Sequence, residues 1–444
     1  MMIHQAWQSA RPQYDTYSDV FDAYPQILPQ SLLDLQPRLN LSLKRFVANN
    51  EQKLLLVNMP DALVYRQLLA QRLQELATPA SAVITSESID VQDYLGQYQV
   101  EADHKIQLLP GLFDQADNGI IMISANLILA NPRQWPQLKA VILGQAAHAL
   151  PVDPHKIYPK LEEKHYQLQC VITGDREQLA HLEEIDDMLR PPHCLFGELE
   201  LEYRFEKAQA SNYLAYIKHM VNQSQVDDLA DHAAISAYLQ FGARITEDQC
   251  YMPLSPVWHQ SLLTEAMYVK QTSGDESTGI SAQNLNQAIE NQELRHGYLP
   301  HRALEDICEG QVIIETQGQR VGQVNGLTVV EVSGHPTSYG EPARISCVVH
   351  LGDGDVSDVE HKTELGGNLH AKGMMIMQAF LTSAMNLDEP LPFAASIVFE
   401  QSYSEVDGDS ASMAELTALV SALSDTPVNQ HIAVTGAVDQ FGRV

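Results

Sequence analysis

Ser410 stands in the segment Asp407-Gly-Asp-Ser-Ala-Ser412, between an apolar run that ends near Glu400 and the amphipathic stretch Ser412–Leu423. A serine just outside the first turn of a helix faces backbone N–H groups that the helix itself leaves unpaired. Such donors can stabilise the oxyanion formed when a hydroxyl attacks a carbonyl. Gly408 permits a tight turn with room for a substrate chain, and Asp409 flanks the serine directly. Ser412-Met-Ala-Glu415 reads as a capping box, and Met413, Leu416, Leu419, Val420 and Leu423 are expected to form the buried face. Serine and aspartate are also ordinary capping residues, so this segment alone leaves both a nucleophile and a simple cap open.

The elements that would position this segment fall into three regions. The first, residues 1–205, alternates apolar runs with helical patterns over residues 53–205, which implies a mostly parallel sheet covered by helices, an α/β arrangement. Strands are predicted at Lys53–Met59, Gly119–Ser124 and Tyr166–Asp175. The helix after the first is expected to bury Leu63, Leu68, Leu69, Leu73 and Leu76, and further helices are predicted over Leu127–Leu143 and Arg176–Arg190. Residues 206–305 lose the strand signal and read as a small helical domain. Residues 306–444 turn α+β: a strand meander from Gln311, strands in "ISCVVHLGDGD" and "FAASIVFEQ", helices near Leu369–Met385 and Ser412–Leu423, and a closing hairpin turning at "DQFG".

Composition narrows the function classes. With 27 Lys+Arg against 57 Asp+Glu the chain carries a formal charge of −30, which repels phosphate backbones and anionic lipid, so nucleic acid and membrane surfaces are poor partners. Cys170, Cys194, Cys250, Cys308 and Cys347 form no C-x-x-C pair, which argues against a zinc site or disulfide framework and fits a reducing cytoplasm. The first residues lack a basic flank before an apolar run, so no secretory leader is expected.

The third region resembles the proteolytic domain of the Lon family, in the branch with a Gly-Asp-Ser-Ala-Ser signature. "FEQSYSEVDGDSASMAELTALVSAL" resembles the nucleophile segment, and "VTGAVDQFGRV" the approach to a partner lysine. "GEPARISCVVHLGDGD" and "ELGGNLHAKGMMIMQAF" resemble the same branch, so the likeness covers roughly Gly310 to Val444. The resemblance implies a serine endopeptidase with a Ser-Lys dyad: Ser410 as nucleophile, supported by Gly408 and Asp409, and Thr435 helping to orient the lysine. A lysine acts as base only when burial or neighbours lower its pKa. The family lysine follows a Pro-Val-Gly-Gly type segment expected just past Val444, whereas residues 411–444 contain no lysine and only His431 and Arg443 as basic residues. The 444 residues by themselves, an incomplete protease domain on this reading, are therefore expected to hydrolyse no peptide bond. Lys362, Lys372 and His431 are the other basic residues to weigh as bases, and a triad of Ser410, His431 and Asp407 has no support in the spacing.

Lon proteases couple this site to an AAA+ ATPase, and residues 1–205 and 206–305 look like that module and its helical lid in degenerate form. Where a phosphate loop is expected stands "NMPDALVYRQ", with no glycine to bare backbone N–H groups and no Lys-Ser/Thr pair. The strand that should end in Asp-Glu reads "IIMISANL". "VITGDRE" still resembles the sensor strand, and Arg244 in "FGARITED" resembles a nucleotide-facing arginine that is expected to serve a surface or lid-packing role instead. ATP and Mg²⁺, which the family uses, are thus not expected as cofactors, nor is a metal site. The resemblance implies protein or peptide substrates and a homo-oligomeric ring such as a hexamer. The alternative is a non-catalytic scaffold or adaptor built from an inactive ATPase and peptidase.

Overall fold

The computed structural model describes residues 11–49, 51–78, 81–100, 106–153, 162–385, 392–402 and 406–444. The first ten residues, read above for a leader, lie outside this set. The chain divides into two compact units, Met1–Ile289 and Glu290–Val444.

The first unit is built on strand β1 (Leu54–Asn58), helix α1 (Leu63–Leu76), β2 (Val83–Ser86), β3 (Gly119–Ser124), β4 (Leu168–Gly174), helix α2 (Arg176–Ile185) and β5 (Leu195–Glu198). The five strands are all parallel, in the order β2-β3-β4-β1-β5. Their apolar runs are continuous because both faces are covered, as a parallel sheet requires. Alternate side chains serve two separate cores: Leu55, Val57, Ile120, Met122 and Val171 on one face, and Leu54, Leu56, Ile121, Ile123, Cys170 and Ile172 on the other. Each such burial stabilises the fold by roughly 1.5–3 kcal/mol. Helices α3 (Ala210–Ser224), α4 (His232–Thr246) and α5 (Pro256–Ser273) pack into the first of these cores, which contains Tyr213, Tyr216, Leu239 and Leu263. The helical stretch therefore shares its apolar interior with the sheet.

Several local expectations change. The helix expected over Leu127–Leu143 is two, Ala125–Ala130 and Trp135–Ile142, broken at Asn131-Pro132 because proline offers no N–H to continue the ladder. In α1 the buried face is Tyr65, Leu69 and Leu73, and Leu63 is exposed in the first turn. Helix α2 ends at Ile185 and is followed by a single 3₁₀ turn, Asp187–Leu189. Among the described residues no helix is long and apolar enough to cross a membrane.

The second unit holds β6 (Gln323–Val330), β7 (Tyr339–Leu351), β8 (Val356–Asp358), α6 (Asn368–Met385), β9 (Phe393–Glu400), α7 (Ser412–Ser424) and β10 (Ala433–Val434). Its sheet runs β8-β9-β7-β6-β10, with antiparallel pairs at the centre and parallel pairs at both edges. The core beneath it gathers Val324, Ile345, Cys347, Ile397 and Phe399 against Met374, Met377, Ala414, Ala418 and Leu419. Of the meander expected from Gln311, only Gln319–Arg320 and β6 are extended. The expected closing hairpin does not form: β10 pairs parallel with β6 instead, and the turn at Asp439–Gly442 joins no strands.

Candidate active site

The helix that follows Ser410 starts at Ser412, as the sequence implies, but not through the expected capping box. No side chain caps it, and Ser412 sits inside its first turn, where its Oγ accepts the Val438 N–H at 3.0 Å. Glu415, the other half of the expected box, is 1% exposed. The buried face consists of Ser412, Ala414, Glu415, Ala418, Leu419 and Ser421, with Leu416 and Leu423 partly buried against the same core, while Val420 is 45% exposed. Small residues around Leu419 let α7 lie close to the sheet. Hydrophobic spacing alone could not reveal this, because a buried carboxylate and two alanines carry little apolar signal.

Ser410 itself is exposed, on a turn that Gly408 makes possible with φ of +95°, a region side chains rarely enter. The segment Ser410–Met413 is laced to Thr435–Val438. Gly436 donates to the Ser410 carbonyl at 2.7 Å, Met413 donates to the Gly436 carbonyl at 3.0 Å, and the Thr435 hydroxyl approaches the Ser410 carbonyl at 3.4 Å. The structure thus brings Ser410, Gly408, Asp409 and Thr435 into one neighbourhood. Ser412 donates to the Asp409 carbonyl at 3.1 Å. Two first-turn donors are therefore already engaged, whereas the N–H groups of Ser410 and Ala411 find no partner among the described residues.

Asp407 has a different role from the triad member weighed above. Its Oδ1 accepts the Leu369 N–H at 3.0 Å and the His370 N–H at 3.2 Å, capping α6. Those donors, with the Gly408 N–H, hold its carboxyl below the usual range. His431 is exposed and does not line the cavity at Ser410, Lys362 pairs loosely with Asp355 at 3.8 Å, and Lys372 is exposed away from that cavity. None of the three is brought to the serine.

A cavity of about 690 Å³ opens on Ser410, bordered by Gly408, Ala411, Thr435, the β6 residues Leu327–Val330, and Glu341 and Arg344 of β7. β6 pairs with β10 only at Asn325 and Gly326, so beyond Gly326 its outer edge has no strand partner among the described residues. Leu327 and Val329 on this edge are 49% and 73% exposed. No lysine or histidine lines the cavity among the described residues.

Sequence reasoning missed the group behind the loop. His370 is 1% exposed, with Nε2 3.0 Å from Asp358 and Nδ1 3.6 Å from Glu415. Glu360, also buried, accepts the Phe399 N–H at 2.9 Å. Burial alone would lower the His370 pKa, but the facing carboxylates of Asp358, Glu415 and Glu360 outweigh it and raise it. Burial pushes Glu415 up to about 7, with His370 opposing and Asp358 and Glu360 adding. The only signal in the sequence is His370 within "GGNLHAKG", which does not point to Glu415.

In the first unit, the loop after β1, expected from the resemblance to stand in place of a phosphate loop, carries the carboxylate of Asp61. Asp61 accepts from Ser124 Oγ at 2.9 Å and pairs with Arg66 at 2.5 Å. Asn58 at the end of β1 donates to Glu198 at 2.8 Å, and Glu198 pairs with Arg176 at 2.6 Å. Arg244 is exposed near the end of α4. Among the described residues no cluster of His, Cys, Asp and Glu is arranged to hold a metal ion.

Comparison with known proteins agrees with this architecture. Residues 82–191 match the family model of a LonB-like AAA domain. The Lon protease homolog of Escherichia coli (strain K12) is 35% identical over 474 aligned positions, covering 99% of this chain and 79% of the relative. That of Haemophilus influenzae (strain ATCC 51907 / DSM 11121 / KW20 / Rd) is 38% identical, covering 76% of this chain and 55% of the relative. The Archaeal Lon protease of Methanocaldococcus jannaschii is 30% identical over 142 residues, 30% of this chain and 21% of the relative. The extent of the first match, across both the parallel-sheet unit and the Ser410 unit, places this chain in the Lon-related family.

Proposed function

We propose that the protein is a Lon-related serine endopeptidase in which Ser410 is the nucleophile of a Ser-Lys dyad. One observation carries the reading: an exposed serine at the mouth of α7 opens on a cavity wide enough for a peptide, beside an unpaired strand edge. An extended peptide added to the Leu327–Val330 edge would present carbonyls along the cavity. The Ser410 and Ala411 N–H groups would receive the oxyanion, with Gly408, Asp409 and Thr435 in support. The base is a lysine contributed from beyond Val444, in keeping with a relative of which 21% lies outside the match.

On this reading residues 1–205 are a degenerate AAA+-like domain, 206–305 its helical lid and 306–444 the proteolytic domain. Nucleotide does not drive the enzyme, because Asp61 puts negative charge where a triphosphate would have to sit. Substrates are proteins or peptides, the assembly is a homo-oligomeric ring, and five unpaired cysteines fit a cytoplasmic setting. The second reading, a non-catalytic scaffold, is favoured by the absence of any lysine among the residues lining the cavity.

The test is hydrolysis of a fluorogenic peptide by the protein extended through its complete reading frame, with and without Mg-ATP. Loss of activity in Ser410→Ala with no nucleotide effect is expected. An extended protein no more active than its Ser410→Ala form would favour the scaffold.

A further inference from the structure

The loop that presents Ser410 is bracketed by two acids that meet at one residue, one at its main chain and the other at its ring. Asp407, three residues before the serine, accepts the main-chain N–H of His370. Glu415, five residues after it, approaches the ring of the same histidine at 3.6 Å. The far side of the ring faces Asp358 at the end of β8, and its edge meets the Phe399 ring of β9 at 5.8 Å. Glu360, in the short helix after β8, completes the surround: three buried carboxylates and one imidazole, at most 8% exposed.

This arrangement is expensive as mere packing. Asp358 Oδ2, Glu360 Oε2, His370 Nε2 and Glu415 Oε1 are each buried without a well-directed hydrogen bond, although the His370–Asp358 pair is close. Apolar side chains of similar volume would serve a core as well or better. What an apolar residue could not do is link Glu415 to Asp358 across one ring, while the main-chain N–H groups of Leu369 and His370 hold the Asp407 end. The backbone is cut to fit the tie: an added Cβ on Gly367 would lie 2.3 Å from the Asp407 carboxylate, and one on Gly373 would lie 3.0 Å from Asp409.

We propose that His370, through its ring contacts to Asp358 and Glu415 and its main-chain bond to Asp407, is the positioning residue that fixes where the Ser410 hydroxyl points. The proposal rests on the reading of Ser410 as nucleophile. With Glu415 protonated, the His370 ring faces Asp358 with no ionised carboxylate on its other side. Loss of the Glu415 proton adds an anion behind the loop. The loop then loosens, and turnover falls on the alkaline side of neutrality.

Two readouts test this. In the extended, active protein, His370→Gln is expected to lower kcat at least tenfold with KM within threefold, and Glu415→Gln to keep most of kcat while moving the alkaline fall upward by a unit or more. In the 444-residue chain, amide hydrogen exchange at Gly408–Ser412 should speed up in His370→Gln beyond that of Leu381→Ala, a core change away from the loop. Unchanged kcat and unchanged loop exchange in His370→Gln would overturn the proposal. Should His370→Gln not fold, an alkaline fall unmoved in the near-isosteric Glu415→Gln would overturn it. Hydrolysis that persists in Ser410→Ala would instead remove the nucleophile reading, and loop exchange would still decide whether His370 holds the segment.

Discussion

Asp61 and Ser124 meet at 2.9 Å, carboxylate to hydroxyl, joining the loop after β1 to the end of β3. Arg66, one turn into α1, closes the group from the other side. On the proposed reading of this unit as a degenerate nucleotide-binding module, an acid of the chain itself stands in the loop expected to hold phosphate.

From this follows the first prediction. Mg-ATP at millimolar concentration should leave the unfolding midpoint of the first unit unchanged, since a ligand that binds only the folded state must raise it. Asp61→Ala should destabilise that unit by about 1–3 kcal/mol, because it leaves a mostly buried guanidinium with only the exposed Glu87 carboxylate at 3.4 Å. Differential scanning fluorimetry of both proteins with and without Mg-ATP checks both statements. A nucleotide-dependent rise in the wild type would mean that the loop rearranges to admit phosphate.

His259 makes the first unit sensitive to acid. It is fully buried, and its Nε2 lies 2.9 Å from the Pro253 carbonyl, which can only accept, so Nε2 carries the proton. Nδ1 then accepts from the Tyr238 hydroxyl at 2.6 Å, fixing a neutral ring. Burial lowers its pKa to about 4. A depressed folded pKa contributes stability present above the unfolded value near 6.5, and that stability is lost as pH falls toward 4. About 3 kcal/mol is at stake. Urea unfolding of the first unit at pH 7 and pH 4.5 should show the loss, and His259→Phe should flatten it.

Glu415 acts in the opposite direction. Its folded pKa of about 7 lies above the unfolded value near 4.5, so its contribution is complete below 4.5 and lost as pH rises through 7. The raised His370 adds in the same sense, being lost as pH climbs through its own folded value. The second unit should therefore be less stable at pH 8 than at pH 5.5, by on the order of 2–3 kcal/mol. Glu415→Gln should remove most of that slope. A second-unit transition that does not move between these pH values would contradict the buried acid.

The parallel sheet was legible because its signal is redundant. Leu54–Val57 and Gly119–Ser124 are uninterrupted apolar runs, and each falls within a residue of its expected bounds. The motif picks out Ser410 and the resemblance picks out Thr435, and the fold sets the two side by side, while their roles belong to the proposal. The cluster behind them was not legible, because Asp358, His370 and Glu415 lie on three elements and no local pattern links them. The seat of α7 failed for a related reason: amphipathic spacing ranks Val420 above Ala418, yet Ala418 is buried because close approach to the sheet favours the smaller side chain. The closing hairpin failed because pairing of β10 with β6 is a long-range contact, which turn chemistry at "DQFG" does not encode.

Gly373 offers a last test, in which helix propensity and the geometry disagree about the sign. It lies inside α6, where exchanging glycine for alanine ordinarily gains about 1 kcal/mol. Here the new methyl would lie 3.0 Å from the Asp409 Cβ and 3.1 Å from its Cα, so the turn bearing Ser410 would have to shift by several tenths of an ångström. Gly373→Ala should thus lower the stability of the second unit by about 1–2 kcal/mol, the usual cost of overpacking. If Ser410 is the nucleophile as proposed, the extended protein should also lose peptide hydrolysis more than tenfold, since displacement of an attacking group is felt steeply in rate. Chemical denaturation and steady-state kinetics on the same preparation separate the two effects. A variant that is more stable and equally active would show that α6 does not support the nucleophile loop at this point.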